Sequence, residues 1–304
     1  MADPASRGTV ITVGTFDGVH RGHREVLARL IGWGEQLGLD PLLVSFEPHP
    51  LEVVRPQAAP PLLTPGIERL EAMVGSGLHH VAILPFTPTL ARYSAEQFVD
   101  EVLIGRYGMR ALLIGHDHGF GVGRQGSAEV LRELGQARGF DVEVVPAVTL
   151  ADGQPISSTL VRRLVMAGEL AGAAAALGRR YAATGRVVRG EARGRALGYP
   201  TLNVELGSAR KLLPALGVYA VVVETPRGRF GGMMNLGPRP TFGDDRVSLE
   251  AHLFDADGDF YDATVRVEFL SRLRDVMKFE SPQALVEQLA RDAADARRAL
   301  TEVL

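Results

Sequence analysis

Short apolar runs and helical repeats alternate through the first half of the chain. The runs are Val10–Val13, Leu42–Phe46, Val81–Leu84, Ala111–Ile114 and Val142–Val145. Between them, Arg24–Leu37, Gly66–Val74, Ala95–Tyr107 and Ala128–Arg138 carry apolar residues at helical spacing. Strands that alternate with helices in this way predict a parallel, doubly wound α/β sheet. Such sheets bind ligands at the carboxyl ends of their strands, so the residues just after each apolar run are the informative ones.

Past an alanine-rich helical stretch, Leu170 to Leu177, which ends at Gly178, the pattern changes. The runs Val218–Glu224, Arg229–Asn235, Val247–Phe254 and Ala263–Leu270 are longer, richer in β-branched residues and separated by turns. They predict an antiparallel β-barrel. A last helix opens at Ser281-Pro282, a cap followed by proline at the first helical position. Its apolar positions Leu285, Leu289 and Ala293 share one face and should pack on the barrel. The expected organisation is a doubly wound domain over 1–180 and a barrel domain, closed by a helix, over 181–304.

Composition narrows the class. At 304 residues there is room for two domains, and 46% apolar with 23% charged residues is a soluble globular balance. A net charge of −3 argues against general binding to nucleic acid or to a membrane surface. With no cysteine there are no disulfides and no thiolate metal sites. The opening M-A-D-P-A-S-R-G lacks the apolar core of a signal peptide, and Ala171 to Leu177 is too short to span a bilayer. The expectation is a cytoplasmic enzyme with small-molecule partners, the number of subunits being left open.

Candidate chemistry sits where the sheet pattern puts it. After the first run comes G-T-F-D-G-V-H-R-G-H, Gly14 to His23, leading into a helix. Glycines there allow a tight turn and close approach of a ligand, and a helix start collects free N–H groups and the positive end of its dipole. His20 and His23 add two imidazoles at that anion site. Read from residues alone, they could equally form a metal pair or lie on the surface. After the second run comes Phe46-Glu47-Pro48-His49-Pro50, whose prolines predict an extended loop. After the fourth comes Gly115-His116-Asp117-His118-Gly119-Phe120-Gly121, a flexible turn with an acid and two imidazoles. After the fifth comes Ile156-Ser157-Ser158-Thr159-Leu160-Val161-Arg162: a capped helix, or one whose hydroxyls and arginine hold an anion. His116 and His118 could join His20 and His23 at zinc, although no H-E-x-x-H pattern supports that.

The pattern H-x-G-H resembles the signature of the HIGH-type nucleotidyltransferases. Together with I-S-S-T-x-x-R, F-E-P-H-P and the glycine-rich loop carrying Asp117, it resembles the FMN adenylyltransferase module of bacterial bifunctional riboflavin kinase/FAD synthetases. The resemblance implies ATP binding by Gly14, Phe16, His20, His23, Asp117, Ser157, Thr159 and Arg162. His20 and His23 would grip phosphates, Ser157, Thr159 and Arg162 the triphosphate and leaving pyrophosphate, and Asp117 would lie near the adenosine or its metal. His118 stands where many relatives carry an aromatic residue.

In the second half, Gly185 to Asn203 reads G-R-V-V-R-G-E-A-R-G-R-A-L-G-Y-P-T-L-N. Interleaved glycines and arginines can wrap a polyphosphate, and Thr201 and Asn203 offer hard oxygen ligands on one side of an extended segment. The run resembles the G-x-x-L-G-x-P-T-x-N motif of riboflavin kinases. That implies ATP contacts from Gly185, Arg193, Gly194, Thr201 and Asn203, with Thr201 and Asn203 also on Mg2+. In Ser248–Leu253, strand alternation puts Leu249, Ala251 and Leu253 on one face and Glu250 with His252 on the other. The resemblance makes Glu250 the catalytic base and places Asn235 and Arg274 near the flavin, although Val276-Met277 departs from a usually more polar segment. Glu268 is the alternative base. The implied activity is ATP- and Mg2+-dependent phosphorylation of riboflavin to FMN, then adenylylation of FMN to FAD. Its rivals are a chain with one activity intact, a flavin-binding module without turnover, and a histidine metal site.

Overall fold

The computed structural model describes residues 7–116, 119–190, 194, 197–238, 247–301 and 303. They group into two compact units, Met1–Ser158 and Thr159–Leu304.

In the first unit, β1 (Thr9–Val13), β2 (Asp40–Glu47), β3 (His80–Pro85), β4 (Met109–Gly115) and β5 (Asp141–Val145) form a sheet ordered β3-β2-β1-β4-β5. Every pairing is parallel, so the order reverses between β1 and β4. The helices are α1 (Arg21–Leu37), α2 (Pro50–Val54), α3 (Ile67–Glu71), α4 (Ala95–Gln97) and α5 (Ala128–Arg138). Neighbouring β1 residues feed opposite cores: Ile11 packs with Leu42, Val44 and Leu103, and Val10 with Leu27, Leu30 and Leu43. Burial on both faces explains why the apolar runs of the central strands β1, β2 and β4 are continuous rather than alternating, while the edge strands β3 and β5 are partly exposed.

Two local expectations change. Pro48 and Pro50 do not hold an extended loop throughout, because Pro50 opens α2 with His49 as its N-cap and Glu52 completing a capping box. Proline at a first helical position has no N–H to lose, so it starts a helix as readily as it breaks one. The helix predicted over Ala95–Tyr107 is a single α-turn capped by Ser94, continuing as a π-helix over Phe98–Ile104.

The second unit gathers α6 (Ser158–Ala167, whose first residue closes the first unit), α7 (Leu170–Leu177) and a closed six-stranded barrel. Gly178 ends α7 in the left-handed conformation, and the change of pattern near Arg180 follows directly. The strands are β6 (Tyr181–Val188), β7 (Leu202–Leu206), β8 (Gly217–Thr225), β9 (Gly228–Pro238), β10 (Val247–Leu253) and β11 (Thr264–Arg274), ordered β10-β7-β6-β11-β8-β9. All pair antiparallel. Neither β6 nor β7 is foreshadowed by a long apolar run.

Helix α8 (Pro282–Leu300) starts at Ser281, whose hydroxyl accepts from the Ala284 N–H at 3.1 Å. Ala296 and Leu300 are buried with Ala220, Val222, Met233 and Phe254, and Leu289 and Ala293 pack against that cluster. The helix is also fastened by charge. Arg274 on β11 grips Asp292 with Nε at 2.9 and 3.0 Å and Nη2 at 2.7 Å, while Gln288 Nε2 donates to the same carboxylate at 2.8 Å. Asp292 is 2% exposed, and removing one partner of a buried pair leaves the other charge uncompensated. Asp292→Ala should therefore destabilise the second unit by about 3–5 kcal/mol, read as an earlier denaturant transition.

Candidate active sites

In the first unit, the turn after β1 is held in place residue by residue. The Thr15 carbonyl accepts from Ser45 Oγ at 3.3 Å and from Arg69 Nη1 at 3.1 Å. Arg69 also donates to the Phe46 carbonyl at 3.0 Å and meets Glu47 at 2.9 Å, so it ties the carboxyl ends of β1 and β2 together. Asp17 is 3% exposed. Its carboxylate accepts from the N–H groups of Leu63 (2.9 Å) and Thr64 (2.8 Å) and from the Thr64 hydroxyl (3.2 Å). The Gly18 N–H donates to that hydroxyl at 2.8 Å, and Ser158 Oγ donates to the Asp17 carbonyl at 2.8 Å.

These bonds stabilise an unusual backbone. Phe16 (φ 49°) and Val19 (φ 38°) both adopt positive φ without being glycine, at a cost of order 1–3 kcal/mol each. The distorted turn delivers His20 to the N-cap of α1, where its Nδ1 accepts from the His23 N–H at 3.3 Å. That assignment leaves the ring proton of neutral His20 on Nε2, making Nε2 a donor suited to an anionic oxygen. The His20 and His23 rings stack with centroids 3.7 Å apart, and Phe16 stacks on His23 at 4.5 Å. A helix start, two stacked imidazoles and a Phe lid on them lie at the carboxyl end of β1, beside the sheet's reversal point. The loop after β4 begins at the same sheet end, as expected for a ligand crevice; Asp117 and His118 lie outside the described residues. Gly14 lies just after β1, where a Cβ would come 3.0 Å from the Phe16 ring. Ser157 immediately precedes α6; Thr159 stands on the first turn of that helix and Arg162 just past it, both within the second unit.

The second site is built by strand register. Glu250 on β10 lies directly opposite Asn203 on β7 and opposite Asn235 on β9. Asn235 in turn faces Val218 on β8, which faces Arg274 on β11. Directly opposed residues project to the same side of a sheet with Cβ atoms ~5 Å apart. Leu249 and Ala251 are buried and Glu250 is half-exposed, so the row of Asn203, Glu250 and Asn235 lies on the barrel's outer face. His252, one pleat along, holds the approach to Thr201, with its Nδ1 2.8 Å from the Pro200 carbonyl and its ring edge-on to Tyr199 at 5.2 Å. Just past β10, Arg297 hydrogen-bonds Asp255 and holds its carboxyl below the usual range.

The other expected residues distribute unevenly. A Cβ on Gly190 would overlap the Asn203 amide, so the missing side chain is what lets Asn203 lie over the chain there. Gly194 similarly backs onto the Tyr199 carbonyl, near Thr201; Arg193 lies outside the described residues. Gly185 is not brought to the row. It sits mid-β6 opposite Leu206 and Val265, where a Cβ would come 2.5 Å from the Glu205 carbonyl. Arg274 belongs to the row by register, yet its guanidinium is engaged with Asp292. Glu268 is held among Arg180 (3.5 Å), Arg229 (3.1 Å) and Arg266 (3.8 Å). Among the described residues, no group of three His, Asp or Glu converges as a metal cluster. Asp17, Thr64 and Arg69 escaped the sequence reading; Asp17 lies inside the quoted motif, but no local signal connects it to Thr64.

A doubly wound unit with a histidine-capped helix at its reversal point, joined to a barrel bearing an Asn–Glu–Asn row, defines a two-unit enzyme of phosphate-group transfer. Comparison with known proteins gives the particular family. A model described as FAD synthetase matches residues 2–160, and one described as riboflavin kinase matches residues 177–300. A Pseudomonas fluorescens protein named bifunctional riboflavin kinase/FMN adenylyltransferase is 40% identical over 296 residues, covering 97% of this chain and 94% of that one. The protein of the same name from Escherichia coli K12 is 36% identical over 301 residues, covering 98% and 94%. A crystal structure from Streptococcus pneumoniae, titled as a macrolide-efflux protein, is similar with a TM-score of 0.85 and 31% identity, over 98% of this chain and 95% of that one. In the present chain no helix among the described residues is long and apolar enough to cross a membrane. The chain belongs to the bifunctional riboflavin kinase/FMN adenylyltransferase family.

The close fit at Gly190 is testable. Gly190→Ala should push Asn203 out of its place and, on the kinase assignment proposed for this row, lower FMN formation from riboflavin roughly tenfold or more, small misplacements at a reacting centre being costly. FAD formation from supplied FMN, assayed on the same preparation, should not change.

Proposed function

We propose that the barrel row phosphorylates riboflavin and that the histidine-capped turn adenylylates the FMN so formed, ATP with Mg2+ being the second substrate of both steps. The observation that carries the kinase assignment is the register that sets Glu250 between Asn203 and Asn235. An alcohol is a poor nucleophile, and a carboxylate within reach of its proton supplies general-base help. Glu250 takes the proton of the riboflavin hydroxyl as its oxygen bonds to the γ-phosphorus of ATP and the bond to ADP breaks. Thr201 and Asn203 fit the magnesium of MgATP, being hard oxygen donors beside that carboxylate. The ion neutralises triphosphate charge when bound. Asn235 orients the flavin. Arg274, which fixes α8 through Asp292, borders the same surface; Gly194 opens the family's ATP motif with Arg193 directly before it, whereas Gly185, mid-β6 and away from the row, is left out of the ATP segment.

The adenylyl step makes different demands. The FMN phosphate is already an anion, so its attack on the α-phosphorus of ATP, with loss of pyrophosphate, needs alignment and charge neutralisation more than a base. His20 and His23 supply donors at a helix start, where anions are favoured. Gly14 and Phe16 shape the turn, and Ser157, Thr159, Arg162 and Asp117 serve ATP as the family motif has them. We also infer a cytoplasmic location, with small molecules rather than nucleic acid or membrane as partners.

A crossed pair of variants tests the division of labour. Glu250→Gln should lower FMN formation by about 10²–10⁴-fold while sparing adenylylation of added FMN. His20→Ala should do the reverse, losing about 2–4 kcal/mol of transition-state stabilisation in FAD formation alone. A folded variant that loses both activities would overturn the two-site reading, and a fully active Glu250→Gln would move the base to Glu268.

The boundary is proposed near Arg180, with the kinase over 181–304. A fragment beginning there contains every strand of the barrel and α8 and should fold and make FMN from riboflavin. If it fails while a fragment beginning at Thr159 succeeds, α6 and α7 belong to the kinase unit.

A further inference from the structure

The segment from Leu62 to Glu71 contacts the adenylyltransferase turn through groups that no catalytic role requires. Its backbone and Thr64 hydroxyl satisfy the Asp17 carboxylate through three hydrogen bonds of 2.8–3.2 Å, and its Arg69 holds the Thr15 carbonyl at 3.1 Å. Two non-glycine residues of this turn have positive φ: Phe16, between the anchored Thr15 and Asp17, and Val19, directly before His20. Phe16 then stacks on His23, which stacks on His20. Such a turn relaxes toward ordinary φ values unless its surroundings over-determine it.

We propose that Asp17, bound to Thr64, is a positioning residue for adenylyl transfer, locking the strained turn that presents His20 and His23. This rests on assigning that turn to FAD formation. The carboxylate touches no substrate in this role. It acts by fixing where the two imidazoles stand, and an ionised carboxylate suits the task because both of its oxygens accept backbone N–H groups. An amide cannot replace it. Whichever way the Asn amide is turned, its NH2 faces a backbone N–H of Leu63 or Thr64.

The test uses the full-length protein. Asp17→Asn should lower kcat for FAD formation roughly 10- to 100-fold, the scale of a small misplacement of reacting groups, with KM for FMN little changed and FMN formation from riboflavin intact. Leu131→Ala, which hollows the core under α5 away from the turn, serves as the destabilised control and should keep its kcat at temperatures where both variants are folded. Thr64→Val, which loses the hydroxyl, should follow Asp17→Asn in direction, and Thr64→Ser should rescue it. A folded Asp17→Asn with normal kcat, or an equal loss in Leu131→Ala, overturns the proposal. So does an effect confined to KM. Should Asp17→Asn fail to fold, the Thr64→Val and Thr64→Ser pair decides by the same criteria. If His20→Ala abolishes FAD formation while Asp17→Asn spares it, only the positioning role fails. If His20→Ala leaves FAD formation intact, the assignment of the turn fails with it.

Discussion

The proposed kinase site depends on one register. β10 pairs with β7 on one side and β9 on the other, and both pairings place Glu250 opposite an asparagine. Side chains alternate with a period of two, so a one-residue slip of β10 would turn Glu250 inward and put Leu249 and Ala251 in water. Burying those apolar residues thus fixes the strand and, with it, the carboxylate. Closure of the barrel makes the constraint stiffer, since β10 has no free edge along which to slide. Core packing and site geometry are the same fact seen from two faces of one strand.

The adenylyltransferase half solves its problem through loops rather than strands. The parallel sheet supplies a floor whose central strands are buried on both faces, and leaves the chain to improvise after β1. There the backbone departs from ordinary conformations at Phe16 and Val19, and the compensation comes from a segment some 46 residues away in sequence. Local consistency between propensity and fold is the rule in foldable sequences, and departures collect where function demands them. A β-branched valine at φ 38°, directly before the histidine that caps α1, is such a departure.

Much of this was legible from periodicity. The five strands of the parallel sheet show because each is a compact apolar run, and α8 shows because Ser281 and Pro282 mark its start. β6 and β7 were hidden by their composition: β6 contains Gly185 and Arg186, and β7 reads L-N-V-E-L, its apolar residues interrupted by Asn203 and Glu205. The helix at Pro50 was hidden because proline serves both to break helices and to open them. Glu250 could be placed on a face from alternation alone, but its neighbours Asn203 and Asn235 could be joined to it only by cross-strand register. Arg274 shows the same limit differently. Its partner Asp292 is 18 residues away on another element, and nothing in the local sequence announces a buried ion pair.

On the proposed assignment of the two sites, the nucleophile dictates the scaffold. A hydroxyl must lose its proton during transfer, so the site needs an acceptor at a fixed distance, and a strand in a closed barrel gives side chains the least freedom. A phosphate nucleophile brings its own charge and needs donors gathered around another charged chain. A helix start offers those as backbone N–H groups without any side chain, and the imidazole of His20 adds to them while capping the same helix. On the proposed assignment one ring serves folding and chemistry through its two nitrogens: Nδ1 accepts from the helix, which directs the remaining proton of the neutral ring to Nε2. Replacing His20 by an ordinary cap such as serine would satisfy the helix and still remove that second donor, so on the proposed assignment the imidazole answers to the reaction and not to the fold.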